Sequence, residues 1–505
     1  MEMIVSNFAE LLHPLTLLII FAASLVGIFL GAIPGLSGGL GVALLLPLSF
    51  GLDPHVGLAM LISIWVGGTS GAMIGSILLG IPGSPSAIAT TFDGYPMTKN
   101  GEVVRALGAA ITASFIGTFI SIIVAAFLSR ILADLALKLG PWEYFSLGVC
   151  AISLVAALAR ESVFHGLAAA ALGLLCSSVG FAPIDGYPRF AFGNMYLNSG
   201  FDLISLMIGF FAIKQILMEF ARGQQVIPEF DAKSITGFGV TLKDYTSNAV
   251  NIFRSFMIGL WIGFLPGMGS GLSNMVSYAY AKNSSKHPEK FGKGCIDGVF
   301  ASETANNASV GGSLIPMVAL GIPGDGTTAI LLGGLMIHGI QAGPLLFTNN
   351  PDIVYTLFNT ALISAILVFI SQFFGMRLFP AILKVPYQYL YSAIVLLCYM
   401  GVFVGAGTEF NFIIMLGFAV LGVLMDWVKM PVGPFVLAFI LGPMLESNLR
   451  KGFTYTDQGI LPFFTRPISG ILLALALISI VWPYIKPLLK KTPNQSEESE
   501  SSLSP

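Results

Sequence analysis

The stretch TSGAMIGSILLGIPGSPS, residues 69–86, lies over VGGSLIPMVALGIPGDGT, residues 310–327, at an offset of 241 residues (310 − 69), and the tetrapeptide Gly-Ile-Pro-Gly is identical at 80–83 and 321–324. Upstream, GAIPGLSGGL (31–40) realigns with GFLPGMGSGL (263–272) at an offset of 232 (263 − 31), pairing Pro34 with Pro266, Gly35 with Gly267 and Gly39 with Gly271. The nine extra residues (241 − 232) fall around AKNSSKHPEKFGKG, and PWEYF at 141 against PYQYL at 386 continues the register. The chain reads as a duplication of a unit of about 235 residues, each copy an apolar segment interrupted by Gly and Pro.

Around these copies the composition is that of a membrane protein. Of 505 residues, 55% are hydrophobic and only 10% charged, with 58 Gly in addition, whereas soluble domains carry roughly 25% charge. No fold in water hides so much apolar surface. A mean hydropathy of +0.84 and the absence of ten-residue alternating segments point to an all-α integral membrane protein rather than a barrel. Apolar runs near 15–33, 57–81, 107–129, 143–159, 163–181 and 202–220, then near 249–263, 304–322, 356–376, 388–406, 410–428, 431–446 and 468–488, give about 12 transmembrane segments. Shorter runs at 36–51, 268–281 and 327–340 read as half-helices, re-entrant pieces or full spans. The organisation is a first transmembrane repeat over 1–220, a polar hinge over 221–248, a second repeat over 249–488 and an acidic, disordered tail over 489–505. No Lys or Arg precedes the first apolar run, so it is expected to remain as a span rather than to be a cleaved signal.

Charge placement orients the halves. Residues 51–56 hold no Lys or Arg, whereas the matching loop carries Lys282, Lys286, Lys290 and Lys293; conversely, Lys99 and Arg105 follow the first Gly-Ile-Pro-Gly and no basic residue follows the second until Arg377. Opposite loads on equivalent loops favour inverted repeats, with the Lys-bearing loops cytoplasmic. Lys486, Lys490 and Lys491 pull the C-terminus to that side, and Arg222, Lys233, Lys243 and Arg254 pull the hinge there too. Two odd-span inverted halves do not allow both. The net charge of −2 supplies no basic face for a nucleic-acid partner.

No Lys or Arg occurs before Lys99 or between Lys293 and Arg377, and those two voids contain the paired breaks. In lipid, Gly and Pro interrupt a helix only where protein or a water-filled cavity satisfies the freed backbone groups, and duplicated breaks mark a transporter's midplane site. Pro34, Gly35, Ser37, Gly38, Gly39, Gly83, Ser84, Ser86, Pro266, Gly267, Gly269 and Ser270 are therefore candidate substrate-binding positions acting through backbone N–H groups and hydroxyls. Ser84-Pro85 suits the start of a helix, whose N-terminus attracts an anion. The second copy has Asp325, Thr327 and Thr328 there, a set suited to Na⁺. Upstream, ASETANNASVGG places Glu303, Thr304, Asn306, Asn307 and Ser309 in an apolar context: Asn306 and Asn307 are candidate substrate contacts and Glu303 a candidate ion ligand for Na⁺ or H⁺. The competing reading sets Glu303 and Asp297 at a solvated helix end. Glycines at four-residue spacing, Gly27, Gly31, Gly35, Gly39 and Gly67, Gly71, Gly75, fit helix packing equally well. Asp134 with Lys138, and Arg160 with Glu161, read as interfacial ion pairs.

No P-loop, HExxH, GxSxG or clustered Cys and His is present, and Cys150, Cys176, Cys295 and Cys398 are scattered singly. An enzyme is not expected, nor a cofactor beyond a coupling Na⁺. At the motifs GAIPGLSGGLGVALLLPLSFGLDP, GSILLGIPGSPSAIATTFDGYPM, GFLPGMGSG, ETANNA and GIPGDGTTAILLGGLMIHGIQAGP, the chain resembles the large membrane subunit of the bacterial tripartite tricarboxylate transporters, from about residue 12 to about residue 485. The resemblance implies secondary uptake of citrate-like tri- and dicarboxylates across the bacterial cytoplasmic membrane, with Na⁺ or H⁺ coupling. It also implies two partners, a small four-span membrane subunit and a periplasmic solute-binding protein. A stand-alone symporter or exchanger of organic anions would carry the same residues.

Overall fold

The computed structural model describes residues 2–157, 162–222, 238–383, 387–406 and 408–489. The first half comprises α1 Glu2–Leu11, α2 Pro14–Ala32, α3 Gly38–Phe50, α4 Pro54–Gly71 continuing into α5 Met73–Leu79, α6 Ile88–Lys99, α7 Val103–Ala136, α8 Pro141–Ala157 and α9 Val163–Ser177. A small antiparallel hairpin follows, β1 Gly180–Phe181 with β2 Pro188–Arg189, then α10 Leu203–Ile208 and α11 Lys214–Arg222 joined through a π-helical turn at Gly209–Ile213. The second half comprises α12 Leu242–Phe264, α13 Gly269–Ser284, α14 Ile296–Leu320, α15 Gly326–Ile337, α16 Leu346–Asn349, α17 Pro351–Gly375, α18 Phe379–Ile382, α19 Tyr387–Ala406, α20 Phe410–Trp427, α21 Val432–Thr454, α22 Leu461–Thr465 and α23 Pro467–Leu489. The hinge lies largely outside the described residues, although α12 begins inside its expected range; nearly all of the acidic tail and the Arg160–Glu161 pair also lie outside.

Among the described residues, eight helices are long and apolar enough to cross a membrane and five shorter apolar helices accompany them. The protein is therefore a multi-pass, all-α membrane protein. The longer α14 is not among the eight, because hydropathy measures fitness for lipid and α14 meets none: from Gly298 to Ala319 every residue is buried in protein.

Glycine sets the tightest packing. Gly27 and Gly31 of α2 press on the carbonyls of Ile64 and Gly68 in α4, and Gly67 and Gly71 of α4 press on those of Ser24 and Ile28. The second half repeats this where Gly259 and Gly263 of α12 meet Ala305 and Ser309 of α14, and Gly312 meets Leu260. A methyl group at any of these positions would collide with backbone, so the four-residue spacing is a packing surface.

These contacts also fix direction. The contact partners advance together along α2 and α4, so those helices are parallel, and α3, which joins the end of one to the start of the other, returns to the face where α2 entered. The pair α2–α3 is a re-entrant hairpin, and α12–α13 is its counterpart. On one face α4 begins beside α17, with His55 Nδ1 2.7 Å from Thr356 Oγ1 and His55 Nε2 3.1 Å from Asp352. On the opposite face α7 begins beside α12, with Arg105 2.6 Å from Asp244, and Asn100 donates to the Lys293 carbonyl at 3.4 Å. Equivalent helices thus start on opposite faces, and the repeats are inverted.

Lys99, Arg105, Lys243, Lys282, Lys286, Lys290 and Lys293 all cluster on the second face. The conflict between hinge and C-terminus also resolves. Phe238 packs on Gly108 of α7, which puts the hinge exit on the basic face. The final helix α23 packs on α8, Ser469 Oγ lying 2.7 Å from Ser146 Oγ, starts on the other face and runs back to the basic one. Among the described helices it has no repeat counterpart in the first half, so it restores the parity that two matched halves forbid.

Candidate functional site

Each Gly-Ile-Pro-Gly ends a helix in the same way. Gly80 and Gly321 take left-handed φ of 70° and 72° at the ends of α5 and α14, a conformation in which a side chain costs roughly 1 kcal/mol; two residues on, Pro blocks continuation. The hairpin tips turn on Gly35 (φ 85°) and Gly267 (φ 75°). The Gly267 N–H donates to the Gly324 carbonyl at 2.7 Å, which ties hairpin tip to helix break.

These four breaks direct four N-terminal segments at one cavity of about 420 Å³: the first turns of α3, α13 and α15, and the 3₁₀ turn that precedes α6. Ser37 caps α3 by accepting from Leu40 N–H at 3.1 Å, leaving the N–H groups of Gly38 and Gly39 ahead of it. Before α6 comes a 3₁₀ turn, Pro85–Ala87, with the hydroxyls of Ser84 and Ser86 2.5 Å apart. The N-terminus of α13, at Gly269, Ser270 and Gly271, has no side-chain cap. The three ends without a carboxylate cap supply partial positive charge without a cation, and no Lys or Arg lines the cavity among the described residues.

The fourth end differs. Asp325 caps α15 in a reciprocal box: its carboxylate accepts from Thr328 N–H at 2.7 Å and from Thr328 Oγ1 at 2.8 Å, while Thr328 Oγ1 accepts from Asp325 N–H at 2.8 Å. Its second oxygen is 3.5 Å from Ser313 Oγ. Thr328 is buried by this role; Asp325 and Thr327 face the cavity.

Of the residues singled out from sequence, Ser37, Gly38, Gly39, Ser84, Ser86, Gly267, Gly269, Ser270, Asp325 and Thr327 line this one cavity. Pro34 and Gly83 are buried behind it, and Pro266 is half-buried at the tip. Gly35 faces α11, its carbonyl accepting from Gln215 Nε2 at 2.6 Å. Asn306, Asn307 and Glu303 form a separate buried layer next to it, joined by Asn306 Nδ2 to the Thr69 carbonyl at 3.4 Å. The solvated-helix-end reading fails for Glu303, which is 0% exposed in mid-helix. It fits Asp297 better, partly exposed in the first turn of α14 and accepting from Asn248 Nδ2 at 2.9 Å.

Sequence reasoning missed the cavity's apolar wall, formed by Trp65, Phe211, Met268, Met275 and Ile330. Trp65 had a signal, since the 241-residue offset places it opposite Asn306. Phe211 had none, for it is turned inward by the π-helical turn, a device common at functional sites but invisible to helical periodicity. It rests against Gly326 and also borders a small inner pocket of about 40 Å³ reaching Pro323 and Val155.

Inverted repeats with re-entrant hairpins, and broken helices whose N-termini converge between the halves, define a multi-pass membrane carrier. The chain belongs to the tripartite tricarboxylate transporter TctA family, whose model matches residues 17–437. It is 32% identical over 475 residues, 94% of each chain, to an uncharacterized 52.8 kDa protein of Agrobacterium vitis from the TAR-I ttuC' 3'region. It is 33% identical over 223 residues to an uncharacterized protein of the TAR-II ttuC' 3'region of the same organism, covering 44% of this chain and 92% of that one. No solved structure matches it.

Proposed function

We propose that this chain is the translocating subunit of a binding-protein-dependent secondary transporter that carries di- and tricarboxylates into a bacterium across the cytoplasmic membrane. The observation that carries the reading is the convergence of the N-termini of α3, α13 and α15 and the 3₁₀ turn before α6 on a cavity lined by Ser37, Ser84, Ser86, Ser270 and Thr327, with no Lys or Arg among the described residues. Helix N-terminal N–H groups and hydroxyls bind carboxylate as dipoles, and a site without full positive charge releases its anion readily. The Trp65, Phe211 and Met275 wall accepts the carbon skeleton.

The basic face bearing Lys282 to Lys293 is the cytoplasmic one, and the opposite face, carrying the α3–α4 and α9–α10 connections, meets the periplasmic partner. A small four-span subunit completes the assembly in the bilayer. Asp325, Thr327 and the nearby carbonyls are the Na⁺ ligands of this reading, and Asn306 orients the substrate side of α4 through Thr69.

Uptake of labelled citrate, succinate and an aromatic acid into vesicles, with and without the cognate binding protein and at varied Na⁺ and pH, tests the reading. Accumulation that requires the binding protein supports it. Full accumulation without that protein favours a stand-alone symporter, and downhill equilibration alone would leave a channel.

A further inference from the structure

The buried layer beneath the cavity contains one carboxyl group that the substrate site does not use. Glu303 sits in mid-α14, and the groups bonded to it are all neutral: the Thr90 hydroxyl on Oε1, and on Oε2 the Ser114 hydroxyl at 3.2 Å, Asn307 Nδ2 at 3.3 Å and Asn306 Nδ2 at 3.5 Å. Among the described residues no basic side chain reaches it. Asp93 of α6 and Tyr278 of α13 are bonded to each other at 2.9 Å, Asp244 of α12 is paired with Arg105 of α7, and α4 brings no ionisable group to this layer.

An unpaired carboxylate buried in protein is expensive unless it is neutralised. A metal cation is a poor neutraliser here. The two amide NH₂ groups aimed at Oε2 would point their hydrogens at it, whereas Na⁺ needs a shell of oxygens. A proton suits the site, since a protonated Glu303 donates from Oε1 to the Thr90 hydroxyl while Oε2 keeps its donors. Intramembrane carboxyls in such settings are proton relays.

The same contacts connect this carboxyl to the cavity. Thr90 lies in the first turn of α6, which follows directly on the 3₁₀ turn that carries Ser86 and begins after Ser84. Asn274 of α13, the helix whose first turn carries Gly269 to Gly271, accepts from Ala89 N–H at 2.7 Å and reaches Thr90 Oγ1 at 3.4 Å. Moving α6 or α13 therefore changes the surroundings of Glu303, and charging Glu303 acts on both helices. On this basis, and resting on the transport reading above, we propose that Glu303 is the proton-binding site that couples carboxylate movement to a proton gradient. Glu303 takes a proton from water on the outer face, is neutral while α6 packs on α14, and releases that proton on the basic face when α6 separates and water enters.

The test uses vesicles carrying the complete transporter, loaded with a pH-sensitive dye, and the carboxylate that the wild type accumulates. Wild type acidifies the lumen as substrate enters. Glu303→Gln is expected to lose uphill accumulation and the dye signal by at least about tenfold while exchange of labelled for unlabelled substrate falls by less than about threefold. Thr90→Val keeps the carboxyl and removes its link to α6, so its dye signal per substrate should fall by about threefold or more even where Glu303→Gln is poorly inserted. A Glu303→Gln protein that accumulates substrate and acidifies the lumen like wild type overturns the proton site alone. Wild-type vesicles that move no carboxylate overturn the functional reading, and the proton site with it.

Discussion

The two Gly-Ile-Pro-Gly breaks share a backbone and differ in chemistry. Gly80 and Gly321 agree within 2° in φ (70° and 72°), yet the residue that opens the next helix is Ser84 in one copy and Asp325 in the other. One helix end is left positive and the other is neutralised by its own cap. The spanning helices before the breaks diverge likewise: α4 carries Ile62 and Trp65 where α14 carries Glu303 and Asn306. A duplicated frame has kept the geometry that makes a cavity and has divided the polar work between its halves.

The most drastic way to probe that frame is to attack what the halves hold in common. Gly31→Leu and Gly263→Leu each drive a side chain into the backbone of the partner helix, an overpacking of about 3 kcal/mol or more. Both should abolish the monodisperse folded species on detergent size-exclusion chromatography, and equally so; survival of either breaks the equivalence of the two crossings. Next comes the cap difference. Ser84→Asp sets a second carboxylate beside the anion site and should lower uptake by about tenfold or more. Asp325→Ser keeps a capping side chain and should shift stability by less than about 0.5 kcal/mol in thermal unfolding. Asp325→Ala, which removes the cap at about 1 kcal/mol, should alter the cation dependence of uptake; an unchanged dependence would remove Asp325 from the ion ligands.

The cavity rim offers a subtler contrast. A methyl group on Gly39 would lie 2.8 Å from Thr327 Oγ1, whereas one on Gly271 would lie 3.5 Å from Pro85. Gly39→Ala should therefore raise KM by about fivefold or more and Gly271→Ala by less than about twofold, since only the first forces its neighbour to shift. Ser37→Ala should cost about 1 kcal/mol through the lost cap of α3, read as a lower Tm, and should raise KM by about twofold through the loss of one cavity hydroxyl.

How far the sequence could be read follows from what each feature depends on. The duplication, the breaks and the ten cavity residues from Ser37 to Thr327 were legible because a helix break in lipid has few explanations and repetition removed the rest. The inversion was legible from loop charges alone, for Lys282 to Lys293 have no basic counterparts in residues 51–56. The hinge and C-terminus looked incompatible only because α23 was counted as part of a matched half. The polar run of α14 reads from sequence as facing the bundle interior, with a solvated helix end as the rival for Glu303; what the sequence does not show is that α4, α6, α7, α12 and α13 all pack on that helix. Phe211 was beyond reach, since one extra residue per turn leaves no trace in composition.

The glycine crossings have a mechanical corollary. Where α2 meets α4, and α12 meets α14, backbone touches backbone with no side chain between, so neither pair can slide without breaking many contacts at once. Each pair is a stiff beam. On the proposed transport reading, rocking between outward- and inward-facing forms is taken up outside these crossings, where the left-handed Gly80 and Gly321 end the helices α5 and α14. On that reading, two beams hinged about one cavity would work as a toggle, opening to one face as it closes to the other.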